Sequence, residues 1–287
     1  MTRIACIGEA MIELSMAGED AQIGVAGDTL NTAIYMQRSA PDLHIDYVTC
    51  LGDDPFSDRI RDFIAGQGVG TKAIRDIAGA SPGLYAITTT PNGERSFTYW
   101  RNAAAARQLF ADGRFDFLAD YDAIYLSGIS LGILPQNVRI ALLDWLEKNP
   151  VKVIYDSNYR PRLWDSVEDA RNITTRFWQR ADIALPSIDD EMALFDETAE
   201  AVATRFTQLG KDGALKRGPE GPLSLGEDVA QSYPAATNVI DTTAAGDSFN
   251  GGYLAARLTG ATQAEALMAG HTLAAAVVQH RGAIMPE

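Results

Sequence analysis

The chain reads as an α/β protein: one mainly parallel sheet with helices on both faces, plus a small β lid. Three observations predict this. Short apolar runs alternate with helical patterns along most of the 287 residues. Glycines and polar residues gather where those runs end, which is the ligand side of a parallel sheet. Two strand-like stretches, at about 11–26 and 84–101, interrupt the alternation and read as lid strands inserted into a single domain, 1–287.

Ile4 to Gly8 is an apolar run closed by glycine, as in a buried parallel strand. Met11 to Ser15 alternates like a half-exposed strand. Asp28 is expected to cap a helix on which Leu30, Ile34 and Tyr35 share a face. Asp46 to Leu51 is the next strand, and Pro55 opens a helix ending near Gly66. Leu84–Thr90 and Arg95–Arg101 flank Pro91-Asn-Gly-Glu94, a turn signal, so they read as a hairpin. Side chains alternate along a strand, which puts Tyr85, Ile87 and Thr89 on one face and Phe97, Tyr99 and Arg101 on one face. Such a face either covers a polar ligand or is an ordinary amphipathic surface.

Strands follow at Ala123–Leu126, Val151–Tyr155, Ile183–Leu185 and, weakly, Ala214–Lys216. Helices alternate with them: Gln136–Lys148, one capped by Ser166-x-x-Asp169 and reaching about Arg180, Ile188–Phe195 and Ala199–Leu209. Thr262-x-x-Glu265 caps a last helix running to about His280.

Composition excludes several classes. Hydrophobic residues at 46% and charged residues at 22% fit a soluble globular protein. No apolar run reaches the roughly 18 residues of a membrane span, and the first residues enter a strand without a signal-peptide core, so a cytoplasmic location is expected. A net charge of −14 argues against nucleic acid or an anionic membrane as partner. Cys6 and Cys50 lie in apolar runs and read as free buried thiols. His44, His271 and His280 lack metal-site spacing and read as structural. No dinucleotide fingerprint, P-loop or serine nucleophile elbow of the form G-x-S-x-G occurs.

The most informative stretch is Ile240 to Tyr253. Val239 and Ile240 read as the end of a strand, Thr243 to Gly246 are small, and from Asp247 the pattern turns helical through Phe249, Tyr253, Leu254 and Leu258. The first N–H groups of a helix have no internal partner and its dipole favours anions, so this is an anion cradle. Asp247 at its mouth is either a helix cap or the acceptor of a proton from a hydroxyl that attacks a phosphate. Gly251 and Gly252 each cost the helix about 1 kcal/mol against alanine, which points to close packing there.

The string Asp241-Thr-Thr-Ala-Ala-Gly-Asp-Ser-Phe249 resembles the C-terminal signature of the ribokinase-like (phosphofructokinase-B type) carbohydrate kinases. The resemblance extends to Gly8-Glu-Ala-Met-Ile-Glu-Leu14, Gly27-Asp-Thr-Leu-Asn31, Pro82-Gly-Leu-Tyr85, Gly93-Glu-Arg-x-Phe-x-Tyr-Trp-Arg101 and Asn158-Tyr-Arg-Pro-Arg-Leu-Trp164, and spans Ile4 to Ala283. It implies a ribokinase-like fold and a phosphotransferase using ATP and Mg²⁺. Within the family these motifs are similar to those of kinases acting on the sugar acid 2-keto-3-deoxygluconate at its 6-hydroxyl. A kinase of a neutral sugar such as fructose, or a non-catalytic sugar-binding protein on the same fold, are the alternatives.

The resemblance also implies roles. Asp247 is the base, and Ala244, Ala245 and Gly246 form the anion hole. Gly27, Asp28, Asn31, Tyr85, Tyr99, Arg101 and Arg160 hold the substrate. Asn158 and Arg160 border the transfer centre, while Lys216, Gly218 and Gly221, with Ala244 and Gly246, hold the nucleotide. No metal ligand is assigned: where many relatives carry Asn-x-x-Glu, this chain has Ser187-Ile-Asp-Asp190-Glu191, which leaves Asp190 and Glu191 as alternatives. The expected partners are a small sugar acid and further copies of the chain, in a homodimer or higher oligomer through unpaired lid edges.

Overall fold

A computed structural model describes residues 2–17, 20–89 and 95–286. The Pro91–Glu94 turn lies outside the described residues. In chain order the strands are β1 (Arg3–Ile7), β2 (Met11–Ala17), β3 (Asp20–Ala26), β4 (His44–Leu51), β5 (Ile74–Asp76), β6 (Gly83–Thr89), β7 (Arg95–Trp100), β8 (Ala123–Ser127), β9 (Lys152–Asp156), β10 (Ile183–Leu185), β11 (Asp212–Leu215) and β12 (Leu223–Leu225). The helices are α1 (Asp28–Ser39), α2 (Pro55–Gly66), α3 (Gly128–Gly132), α4 (Gln136–Lys148), α5 (Val167–Arg180), α6 (Ile188–Phe195), α7 (Ala199–Leu209), α8 (Ala245–Leu258) and α9 (Gln263–Val277).

Eight strands form the central sheet in the order β12-β11-β10-β9-β8-β1-β4-β5. Every pairing is parallel except β11 with β12. Both faces are covered, as the side-chain alternation of β1 shows. Ala5 and Ile7 join a core with Leu142 of α4, Phe177 of α5 and Phe206 of α7. Ile4 and Cys6 join the opposite core with Ile34 of α1, Ile60 of α2, Leu254 of α8 and Leu267 of α9. Cys50 belongs to the first core and Cys6 to the second, so the sheet separates the two free thiols.

The lid is a four-stranded sheet, β3-β2-β6-β7, in which β2 and β6 run parallel and the outer pairs antiparallel. Chain geometry ties it to the sheet's carboxyl ends. β2 leaves directly after β1, and β3 leads straight into α1. The turn into α1 is tight: a Cβ on Gly27 would lie 2.2 Å from the Glu9 carbonyl oxygen. Gly251 marks a similar crossing, because its Cβ would lie 2.5 Å from Tyr35 Cβ. The glycine pair of α8 thus lets α8 approach α1 and α9 closely.

Helix ends expected from caps and periodicity hold for α2, α4, α6 and α7. Four readings need correction. Asp28 is not the cap of α1; Gly27 occupies that position, and the Asp28 side chain turns to other partners. Val239 and Ile240 form no strand but an exposed connection whose Ile240 and Asp241 N–H groups bond the Val278 carbonyl after α9. β11 ends at Leu215, leaving Lys216 in the following loop, and α9 ends at Val277. The short elements β5, β12 and α3 carry too few residues to show a period.

Candidate active site

The loop before α8 is shaped by Asp241. Its carboxylate accepts from Thr243 N (3.0 Å) and Thr243 Oγ1 (2.7 Å), and from Gly282 N at 2.8 Å. The chain then passes through Ala244 at φ 60°, a left-handed conformation that costs a non-glycine residue strain and collects at functional sites. Ala244 caps α8 without a side-chain bond, which leaves the helix N-terminus open to a ligand. At Gly246 an added Cβ would meet only Lys216 Nζ, 3.7 Å away. Neither backbone strain nor crowding requires glycine there, and its missing side chain keeps the space before the helix free.

Asp247 lies in the first turn of α8 and accepts a hydrogen bond from Asn31 Nδ2 of α1 at 2.8 Å. Thr32 Oγ1 donates to the Asp247 carbonyl at 3.2 Å, fixing the two helices in register. Burial first, then the Asp28 carboxylate, push the Asp247 carboxyl up to about 8; Asn31 and Lys216 pull it down, while Asp156 pushes it up. A carboxyl raised this far gains and loses its proton close to the working pH, as suits a general base.

Behind Asp247 lies a polar floor. Asp28 accepts from Ser127 Oγ and from Asn158 Nδ2, the latter at 2.8 Å. Burial raises the Asp28 carboxyl as well. Asn158 itself has φ 28°, so both non-glycine residues flanking the centre, Asn158 and Ala244, hold positive φ. Asp156, at the end of β9 and buried, takes Lys216 Nζ at 2.8 Å and Asn250 Nδ2 at 2.6 Å.

The lid closes one side. Tyr85 is buried with Met11, Ala26, Ile87 and Ala283, and this cluster packs against Ala244. Tyr99 stacks on Tyr85 with ring centroids 5.5 Å apart, and Phe97 lies 6.4 Å from Tyr99. The aromatic face therefore starts beside the cradle at Tyr85 and runs outward to the half-exposed Tyr99 and Phe97. Burial raises the Tyr85 phenol, and the Glu13 and Asp247 carboxylates push the same way. Arg101, just past β7, is buried and paired with Glu9, whose carboxyl is raised mainly by burial and lowered by Arg101.

Other expected residues stand farther out. The Arg160 guanidinium is half exposed and bonds the Tyr159 carbonyl and Asp190 Oδ1 at 2.8 and 3.2 Å. Glu191 is fully buried, bonded by Arg205 Nη2 at 2.9 Å and Trp178 Nε1 at 3.2 Å, and burial pushes it up to about 7. Of the two acids, Asp190 is the one on the site side: besides Arg160, the charges of Asp156 and Lys216 reach it. In the loop after β11, Lys216 turns into the site, whereas Gly218 begins an exposed 3-10 turn. Gly221 has φ 79°, and a Cβ there would lie 2.5 Å from the Tyr233 ring.

Sequence reasoning passed over Asn250, Tyr125, Ser127 and Glu9 as site residues, and it placed Asp156 only among the polar residues at the strand ends, without a role. A signal existed for one: Asn250 stands three residues after Asp247 and so shares its helix face. Among the described residues no group of three or more His, Cys, Asp or Glu side chains could hold a metal by itself. No described helix is long and apolar enough to cross a membrane.

A doubly wound sheet, a β lid beside its carboxyl ends, and an acid at an open helix N-terminus together define the class: an α/β enzyme that acts on a small molecule at an anion cradle. More particularly, the chain belongs to the pfkB family of carbohydrate kinases, whose pattern matches residues 1–287. It is 44% identical to a 2-dehydro-3-deoxygluconokinase of Escherichia coli over 99% of this chain and 97% of that one. A 2-dehydro-3-deoxygluconokinase of Dickeya dadantii is 45% identical, covering 99% and 96% of the two chains. The crystal structure of a PfkB protein from Polaromonas superposes with a TM-score of 0.83 at 26% identity, over 97% of this chain and 96% of that one.

Proposed function

We propose that this carbohydrate kinase transfers the terminal phosphoryl group of ATP to the 6-hydroxyl of 2-keto-3-deoxy-D-gluconate, giving 2-keto-3-deoxy-6-phosphogluconate and ADP. The identity of 44% to a kinase named for that substrate, over nearly the whole chain, carries this reading. Asp247 takes the hydroxyl proton as the O6–phosphorus bond forms and the bond to the ADP oxygen breaks. Asn31 orients the Asp247 carboxylate. The amides after Ala244 receive phosphate oxygens in the space Gly246 leaves, and Lys216 neutralises them. Asp28, Tyr85, Tyr99, Arg101 and Arg160 surround the sugar acid, and Asn158 borders the transfer centre.

Mg²⁺ is ordinarily held by one or two carboxylates together with nucleotide phosphates and water, which suits a site whose described residues form no all-protein cage. Asp190 is the carboxylate proposed to meet it: it is partly exposed and bonded by Arg160, whereas Glu191 is fully buried and held by Arg205 and Trp178. When bound, the ion supplies positive charge to the transferring phosphoryl oxygens. The lid excludes water, the competing phosphoryl acceptor. The cytoplasm, where ATP is available, is the proposed location.

A coupled ADP-release assay over a panel of sugars and sugar acids tests the reading. ADP release is expected with 2-keto-3-deoxygluconate and far less with fructose; a preference for fructose would replace the substrate, and no turnover with any would leave a binding protein. We further propose a homodimer through the lid. Ile23, Phe97, Tyr99 and Trp100 are 41–58% exposed on its two edge strands, β3 and β7. Light scattering is expected to give twice the 31.0 kDa chain mass, and a monomer at micromolar concentration would remove the proposal.

A further inference from the structure

Asp156 sits where three elements meet. Its Oδ1 receives Lys216 Nζ at 2.8 Å, and its Oδ2 receives Asn250 Nδ2 at 2.6 Å. Asn250 lies one turn along α8 from Asp247, and its amide nitrogen also bonds the Tyr125 hydroxyl at 3.0 Å. Tyr125 in turn meets Thr32 Oγ1 at 3.2 Å, the same hydroxyl that holds the Asp247 carbonyl. Asp156, Tyr125 and Asn250 are buried, and Lys216 nearly so. A buried carboxylate with a lysine as its ion-pair partner is costly to build for stability alone. Here the lysine of the pair reaches the cradle, with Nζ 3.7 Å from where a Cβ on Gly246 would lie.

We propose that Asp156 is a positioning residue for phosphoryl transfer, which fixes Lys216 beside the α8 cradle and keeps a balanced pair of charges behind Asp247. This rests on the reading of Asp247 as the base. With Lys216 paired, the lysine faces Gly246 from a set position instead of ranging over the nucleotide loop. The pair also limits the net field on Asp247: Asp156 opposes ionisation there, and Lys216 favours it. The other groups facing Asp247 are Asp28, Asn31 and Tyr35 from α1, Tyr85 from the lid and Tyr125 from β8. Among these, Lys216 is the cation, so breaking the pair exposes Asp247 to an uncompensated charge of one sign or the other.

The two halves of the pair therefore have opposite signatures. Asp156→Asn keeps the shape, removes a negative charge and frees the lysine's field. The acidic limb of the single-turnover rate against pH is expected to move to lower pH by roughly half to one unit, the scale of shifts that neighbouring charges produce. Lys216→Met leaves Asp156 unpaired, and the limb is expected to move to higher pH. A purely structural role for Asp156 would lower the rate at every pH without moving the midpoint. Shifts of the same sign in both variants, or none, overturn the proposal. Carbon-detected NMR titration of the Asp247 carboxyl in the same variants reads the effect without turnover. If Asp247→Asn stays active, the assignment of the base falls; if the NMR midpoint does not move in opposite directions, the role of Asp156 falls.

Discussion

Asp247→Asn is expected to lower kcat by roughly 10²–10⁴-fold, the usual contribution of a general base, while the KM for ATP changes little. The substitution keeps the shape of the side chain, and the Asn31 amide can still donate to the remaining oxygen. What is lost is the group that accepts the proton. A second effect separates a base from a carboxylate that serves only structure. The carboxyl is raised above its unfolded value, chiefly by burial, so the folded state binds more protons than the unfolded chain from about pH 4 up to about 8. Stability is accordingly lost as pH rises through that window. Asp247→Asn removes this cost, so the variant should melt above the wild type, with the gap widening as pH rises toward 8. A carboxylate kept only for its bond to Asn31 behaves oppositely, because its removal lowers Tm. Thermal melts at several pH values, beside steady-state rates, distinguish the two. A variant with near-wild-type kcat would leave Asp247 a structural partner of Asn31.

The parts of this fold legible in the sequence are those set by local chemistry. Pro55 after Asp54 starts α2 because Asp54 Oδ1 accepts the Phe56 and Ser57 amides, and Thr262 with Glu265 makes the box that opens α9. The glycine pair of α8 was readable as close packing because glycine in a helix needs a reason. The Asp247–Asn31 bond joins residues 216 apart and was reachable only through the resemblance of both motifs to one family. Val239 and Ile240 misled because two apolar residues before a small-residue turn carry the same local signal whether or not a neighbouring strand exists to pair with them. The floor of Asp156, Tyr125 and Asn250 had no signal as a unit. Each residue is ordinary alone, and only the sheet order that sets β8 beside β9 under α8 brings them together. Glu9 was missed for the same reason: it stands 92 residues from Arg101.

That ion pair shapes the second large effect expected, on substrate choice. Arg101→Ala should lower kcat/KM for 2-keto-3-deoxygluconate by about 10–100-fold, the equivalent of losing a charge-assisted hydrogen bond of about 1.5–3 kcal/mol. The KM for ATP should hardly move. Arg101 is already engaged by Glu9, so the expectation depends on donors to spare. A guanidinium has five, and Nε of Arg101 is buried with no partner among the described residues. Oε1 of Glu9 is equally unpartnered. An incompletely satisfied buried pair is expensive by itself, and a carboxylate ligand would occupy the free edge of the fork. Tyr99, stacked on Tyr85, offers its ring to the carbon chain beside it. Removing the arginine alone also leaves the buried Glu9 carboxylate uncompensated, which lowers stability and would confuse the reading. The double variant Glu9→Gln/Arg101→Ala removes both charges. It should recover most of the lost Tm yet keep the defect toward the sugar acid. Neutral sugars, which carry no carboxylate, should lose little in either variant. The decisive measurement is kcat/KM for both substrate types in wild type and the two variants. An equal drop for both substrates, or recovery of sugar-acid turnover in the double variant, would reduce Arg101 to a structural partner of Glu9.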